Sequence, residues 1–194
     1  MGLLLTWLGG SAVGYGWYQS QYLQPYPGAN ASQTVLPEAL RKQLERAWSA
    51  APTATGVEPG GVTLVHFSQP GCRCDDASRD HLRRLRAEYS RSDLAVIQAL
   101  PPTADAAVPD LGEAVDRRKL PALWQLVSAV PAAALFGPGG QLLYFGPYSS
   151  GPSCGSGINF VEDELSRLRN HESVTPWINE VALGCFCAIR HRKT

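Results

Sequence analysis

No surplus of either charge marks this sequence: 17 Lys and Arg are matched by 17 Asp and Glu. The basic footprint by which proteins grip a phosphate backbone is therefore missing, and nucleic acid is not expected as a partner. Also missing are a glycine loop closed by lysine, a dinucleotide-binding fingerprint and a nucleophilic serine elbow. Gly137-Pro138-Gly139-Gly140 is glycine-rich, but it separates two apolar runs and reads as a turn. No internal repeat is visible, so the 15 Pro and 19 Gly act as punctuation between elements. Residues 1–24 lack charge altogether.

That uncharged segment starts Leu-rich and ends in an aromatic cluster at Tyr15, Trp17, Tyr18 and Tyr22. A bilayer span takes roughly 20 apolar residues with Trp and Tyr at its interface, so an N-terminal apolar anchor helix is expected over 1–24. Gly9, Gly10, Gly14 and Gly16 weaken the hydropathy, and no basic flank orients the segment. A cleaved signal ending near Ala29-Asn30-Ala31, or a peripheral apolar helix, remain the alternatives.

Residues 25–60 read as a linker holding one short amphipathic helix, with Leu36, Leu40, Leu44 and Trp48 on one side and Pro37 in its first turn. A main domain follows at 61–172. The run VTLVHF at 62–67 is a strand stopped by Ser68-Gln69-Pro70-Gly71, and residues 72–89 are helical with Asp75 and Asp76 in the first turn. Residues 93–100 form a second buried strand. Residues 110–119 and 122–127 are expected as short helices broken at Pro121. A hairpin occupies 131–136 and 141–145, an amphipathic helix 158–169, and a cysteine-containing tail 173–194.

The order β, α, β, α, β, β, α, with a cysteine motif directly after the first strand and Val130-Pro131 directly before the hairpin, resembles the thioredoxin superfamily over 61–170. Phe67 stands five residues before Cys72, and Gly146 closes the last hairpin strand, at spacings that family shows. The resemblance implies an α/β thioredoxin-like fold: a central mixed sheet flanked by helices. It implies a cis peptide before Pro131, whose loop packs against the active-site sulfurs. With its Cys-x-Cys motif, Gly146-Pro147-Tyr148 and terminal Gly184-Cys185-Phe186-Cys187, the whole chain is similar to a bacterial group of membrane-anchored thioredoxin-like proteins. That likeness implies the inner membrane, the domain facing the periplasm.

Thiolates are the reactive form of cysteine, and both a helix N-terminus and an arginine stabilise them. Cys72, beside Arg73, is the expected nucleophile and Cys74 the resolving thiol. A Cys72–Cys74 disulfide would close a tight ring, which points to an oxidant or isomerase before a strong reductant. His66 stands where thioredoxins carry a buried proton-shuttling acid; a satisfied core histidine is the plainer reading. Five cysteines leave one odd. Cys154 tying down the tail, and an electron relay from Cys185 and Cys187 to Cys72 and Cys74, are both open. Asp75 and Asp76 are expected to cap the helix, and His81 to lie at its surface.

The first expectation is therefore a membrane-tethered thiol-disulfide oxidoreductase acting on protein thiols or disulfides, with Cys72, Cys74, Pro131 and His66 at its site and no cofactor beyond a redox-active disulfide. The second is a copper or zinc carrier using Cys72, Cys74, Cys185 and Cys187, although one-residue spacing disfavours structural zinc. A redox-dead scaffold domain is the third.

Overall fold

The computed structural model describes residues 2–27, 37–51, 61–102, 111, 116–151 and 157–189. In chain order these form α1 (Gly2–Tyr22), β1 (Gln24–Pro25), α2 (Pro37–Ser49), β2 (Val62–Phe67), α3 (Asp75–Glu88), β3 (Leu94–Leu100), β4 (Asp116–Lys119), α4 (Pro121–Trp124), β5 (Ala129–Val130), β6 (Ala132–Phe136) and β7 (Leu142–Gly146). α5 (Phe160–Arg169), β8 (Trp177–Ile178), β9 (Leu183–Gly184) and β10 (Cys187–Ala188) complete the chain.

β2 is the hub of a mixed six-stranded sheet ordered β4-β3-β2-β6-β7-β8. It pairs in parallel with β3 and antiparallel with β6, and the β6–β7 hairpin turns through Gly137–Gly140, where the Gly140 amide donates to the Gly137 carbonyl at 2.9 Å. Strand alternation sorts the VTLVHF side chains to opposite faces. Val65 and Phe67 join a core with Leu40 and Leu44 of α2, Trp124 of α4 and both motif cysteines. Leu64 joins Leu82 and Leu85 of α3 and Val161 and Leu165 of α5 on the other face. The architecture is thus a mixed α/β sheet covered by helices on both sides.

α2, expected inside the linker, forms and packs its apolar side onto the sheet: Trp48 stacks on Phe136 with ring centres 4.6 Å apart, and the Glu45 carboxylate accepts the Leu142 amide at 3.0 Å. Two expectations need correction. Residues 116–119, read as helical, form β4 at the sheet edge, where a run of charge deters further strand pairing. α1 does form, with Leu3, Trp7 and Trp17 exposed, but among the described residues no helix is long and apolar enough to cross a membrane. The spanning anchor expected over 1–24 is therefore not found. Four glycines together with Ser11, Gln19, Ser20 and Gln21 dilute its hydropathy.

Candidate functional site: a doubly cross-linked cysteine cluster

β2 is buried nearly throughout and ends at Phe67, and the chain then reverses through Gln69-Pro70-Gly71. Gly71 has φ +77°, a left-handed conformation glycine adopts without steric cost. The turn closes with the Cys72 amide donating to the Gln69 carbonyl at 3.4 Å and the Asp75 amide to the Cys72 carbonyl at 3.1 Å. Cys74 is the N-cap residue of α3, without a side-chain capping bond. Asp75 and Asp76 lie just inside the helix and match its dipole, so neither is the cap expected of them.

Cys72 and Cys74 do not pair with each other. Cys72 is bonded to Cys187 and Cys74 to Cys185, with Cα separations of 5.9 and 5.6 Å. This corrects the expected Cys72–Cys74 ring. The tail returns two sulfurs to the motif, so each cysteine finds a partner across the site instead of one residue away. Both tail cysteines thus meet the motif pair, while Cys154 lies outside the described residues.

The backbone also holds the tail here. β10 pairs antiparallel with β5, placing Cys187 opposite Val130 and Ala188 opposite Ala129, and the Ile189 amide donates to the Ser128 carbonyl at 2.8 Å. β9 pairs with β1. Between those strands Tyr26 is buried, receives Phe186 edge-on at 5.0 Å and donates its hydroxyl to the Ala129 carbonyl at 3.2 Å. Burial drives the Tyr26 phenol well above its ordinary value and keeps it a neutral donor.

The Val130–Pro131 peptide is cis, and Cys72 Sγ lies 3.6 Å from the Val130 carbonyl oxygen. Pro131 is thus beside the sulfurs, as the resemblance implied. Cys72 and Cys74 are only 7% and 8% exposed, whereas Cys185 and Cys187 are half-buried, so the tail residues are the more accessible half of the cluster. A cleft of about 270 Å³ opens beside Cys72, lined by Gln69, Gly71, Arg73, Asp75, Asp76 and Arg79.

Beneath the turn, His66 is fully buried. Its Nδ1 is 2.8 Å from the Tyr148 hydroxyl and its Nε2 3.6 Å from Asp75 Oδ1. Asp75 is buried as well and is reached by Ser78 Oγ at 3.1 Å and by Arg79 Nε at 3.9 Å. Asp75 and Tyr148 are site residues that sequence reasoning missed: nothing in the spacing ties either to His66. His81 is buried against the Tyr148 ring, not on the surface. Burial lowers its pKa, while Glu162 at 3.4 Å works the other way.

Fold and site together define a mixed α/β domain whose dicysteine turn is cross-linked to its own C-terminal tail. A family model described as a domain of unknown function, DUF6436, matches residues 40–189, more than half of the 194-residue chain. The chain belongs to that family. No curated protein matches it.

Proposed function

We propose that the chain is a thiol-disulfide oxidoreductase of thioredoxin-like build, acting on protein thiols, in which Cys72 and Cys74 exchange electrons with the tail pair Cys185 and Cys187. The observation that carries this reading is the pairing of motif with tail: four sulfurs in two bonds, beside the cis Val130–Pro131 junction and a buried histidine-carboxylate couple. Disulfides persist in oxidising compartments, which supports a periplasmic setting. The exposed Leu3, Trp7 and Trp17 of α1 support contact with the inner-membrane surface.

A substrate thiolate attacks Cys187 Sγ, on the more exposed residue of its pair, and the bond to Cys72 breaks. Cys72 leaves as a thiolate just ahead of the α3 N-terminus, where the helix dipole and Arg73 favour negative charge. A second substrate thiolate attacks the substrate sulfur of the mixed disulfide, so the substrate departs as a disulfide and Cys187 as a thiolate. Two electrons have then passed from substrate to protein. Cys72 thiolate can next attack Cys74 of the remaining bond, releasing Cys185 and moving the oxidised link into the motif. Thiol protons lost or gained beneath the turn are taken up or returned at His66, oriented by Tyr148 and Asp75. Every step is an exchange and runs in either direction.

The test is thiol trapping of the native chain across a series of dithiol-disulfide buffers, followed by mass spectrometry of the linked peptides. Reversible interchange of 72–187, 74–185 and 72–74 links is expected. Bonds that stay closed at every potential under native conditions, or open without ever exchanging with a protein dithiol, overturn the reading.

A further inference from the structure

Sulfurs gathered this closely have a second chemistry. Among the described residues, the Sγ atoms of Cys72, Cys74 and Cys187 all lie within 4.8 Å of one another. Cys185 is bonded to Cys74 but stands outside that set. We infer that, once both disulfides are reduced, Cys72, Cys74 and Cys187 form a three-sulfur site for a cuprous ion.

The site does not depend on the disulfides to stay assembled. Cys72 is fixed by the turn bonds to Gln69 and Asp75, and Cys74 by its place at the start of α3. Cys187 is fixed by backbone pairing with Val130, by the Ile189 to Ser128 bond on one side and by Phe186 against Tyr26 on the other. Opening both bonds consumes four electrons and four protons, supplied by two equivalents of a dithiol donor, and leaves the three thiols facing one another. Binding then displaces thiol protons as thiolate-copper bonds form.

The donor set selects the metal. Soft thiolates favour cuprous copper and zinc over hard cations. Zinc in a closed site wants four ligands in a tetrahedron, with wider spacing between paired cysteines than a single residue. Three sulfurs satisfy cuprous copper, which accepts low coordination numbers with soft thiolate ligands. Cys72 and Cys74 sit within the apolar cluster with Trp124 and Val130, which shields the inner side of the site from water, and Arg73 at the cleft offsets the surplus negative charge.

The inference shares its sulfurs with the redox reading but does not rest on it. The full chain is reduced anaerobically, freed of reductant, and titrated with cuprous ion against a chromophoric chelator; X-ray absorption then reports the ligands. One copper per reduced chain is expected, bound by sulfur alone, with uptake lost in the oxidised chain and in Cys187→Ser, and retained in Cys154→Ser. A reduced wild-type chain that leaves copper with the chelator, prefers zinc, or binds copper through nitrogen or oxygen overturns the inference whether or not any variant folds. A chain that exchanges disulfides but takes no copper sinks only this inference; one that takes copper but never exchanges sinks only the redox reading.

Discussion

Cys187 is held to the same point of the fold twice, by a covalent bond to Cys72 and by antiparallel backbone pairing opposite Val130, whose carbonyl oxygen lies 3.6 Å from Cys72 Sγ. The tail therefore arrives at the motif through main-chain geometry, and the sulfur bond locks an approach that β10 has already made. The two cross-links are also nested, with sequence separations of 115 and 111 residues.

Nesting makes their contributions to stability unequal in combination. In the chain-entropy view, a first cross-link of this span restricts the unfolded chain by nearly 5 kcal/mol at most, and typical disulfides contribute about 2–4 kcal/mol. With that link in place, the second closes only the short ring through Arg73 and Phe186. Cys185→Ser alone is thus expected to cost well under half of what the Cys185→Ser, Cys187→Ser double variant costs. Denaturant unfolding of the oxidised proteins measures both. Additive losses, with the single variant as costly as half the double, would contradict the nested pairing.

Gly71 carries the turn that presents Cys72. A Cβ there meets nothing within 4 Å, so Gly71→Ala is opposed by backbone conformation alone at φ +77°. The expected loss is about 1 kcal/mol, since a left-handed L-residue costs roughly 1–2 kcal/mol and the turn can relax. Gly71→Asn should recover part of it. An unchanged denaturant midpoint for Gly71→Ala would mean the turn takes another conformation.

His81 gives the protein an acid-sensitive element. Burial depresses its pKa below the ordinary 6.5, and Arg84 adds to this while Glu162 opposes it. The unfolded chain therefore takes up a proton at higher pH than the folded one, and stability falls as pH drops from about 7 below 6.5. Glu164 runs the other way, because burial raises its carboxyl and acid relieves it. The difference between wild type and His81→Gln isolates the histidine. Unfolding free energies at several pH values should show wild type losing more than the variant on acidification, and parallel curves would exclude this role.

Much of this is legible in the sequence alone. The short β-branched apolar run VTLVHF, the 3.6-residue period after Asp75 and the glycine turn before Gln141 place β2, α3 and the β6–β7 hairpin by local chemistry alone. The missing parts depend on distant partners. β9 and β10 span two residues each, too short for a period, and form because Gln24, Pro25, Ala129 and Val130 offer them edges. β4 reads as polar helix because an edge strand needs no apolar alternation. Connectivity among cysteines is not written in their spacing, so Cys72 pairing with Cys187 needed the fold. Asp75 looked like a cap since its burial against His66 depends on how α3 sits over β2.

That His66 couple supports the most direct functional prediction. Tyr148 and Asp75 face opposite nitrogens of one buried imidazole, so the ring is oriented and a proton entering at Nε2 meets a carboxylate 3.6 Å away. His66→Leu removes the proton acceptor while keeping an apolar side chain in the strand. The exchange rate with a protein dithiol should fall by about 10²-fold, the lower end of what a positioned acid-base group supplies. Tyr148→Phe leaves the ring in place but strips Nδ1 of its partner, which costs on the order of 1–3 kcal/mol of stability and a smaller share of rate. Stopped-flow exchange set beside denaturant unfolding separates the two outcomes: if His66→Leu changes stability yet keeps the wild-type rate, the histidine is a packing residue and protons leave the thiols by way of solvent.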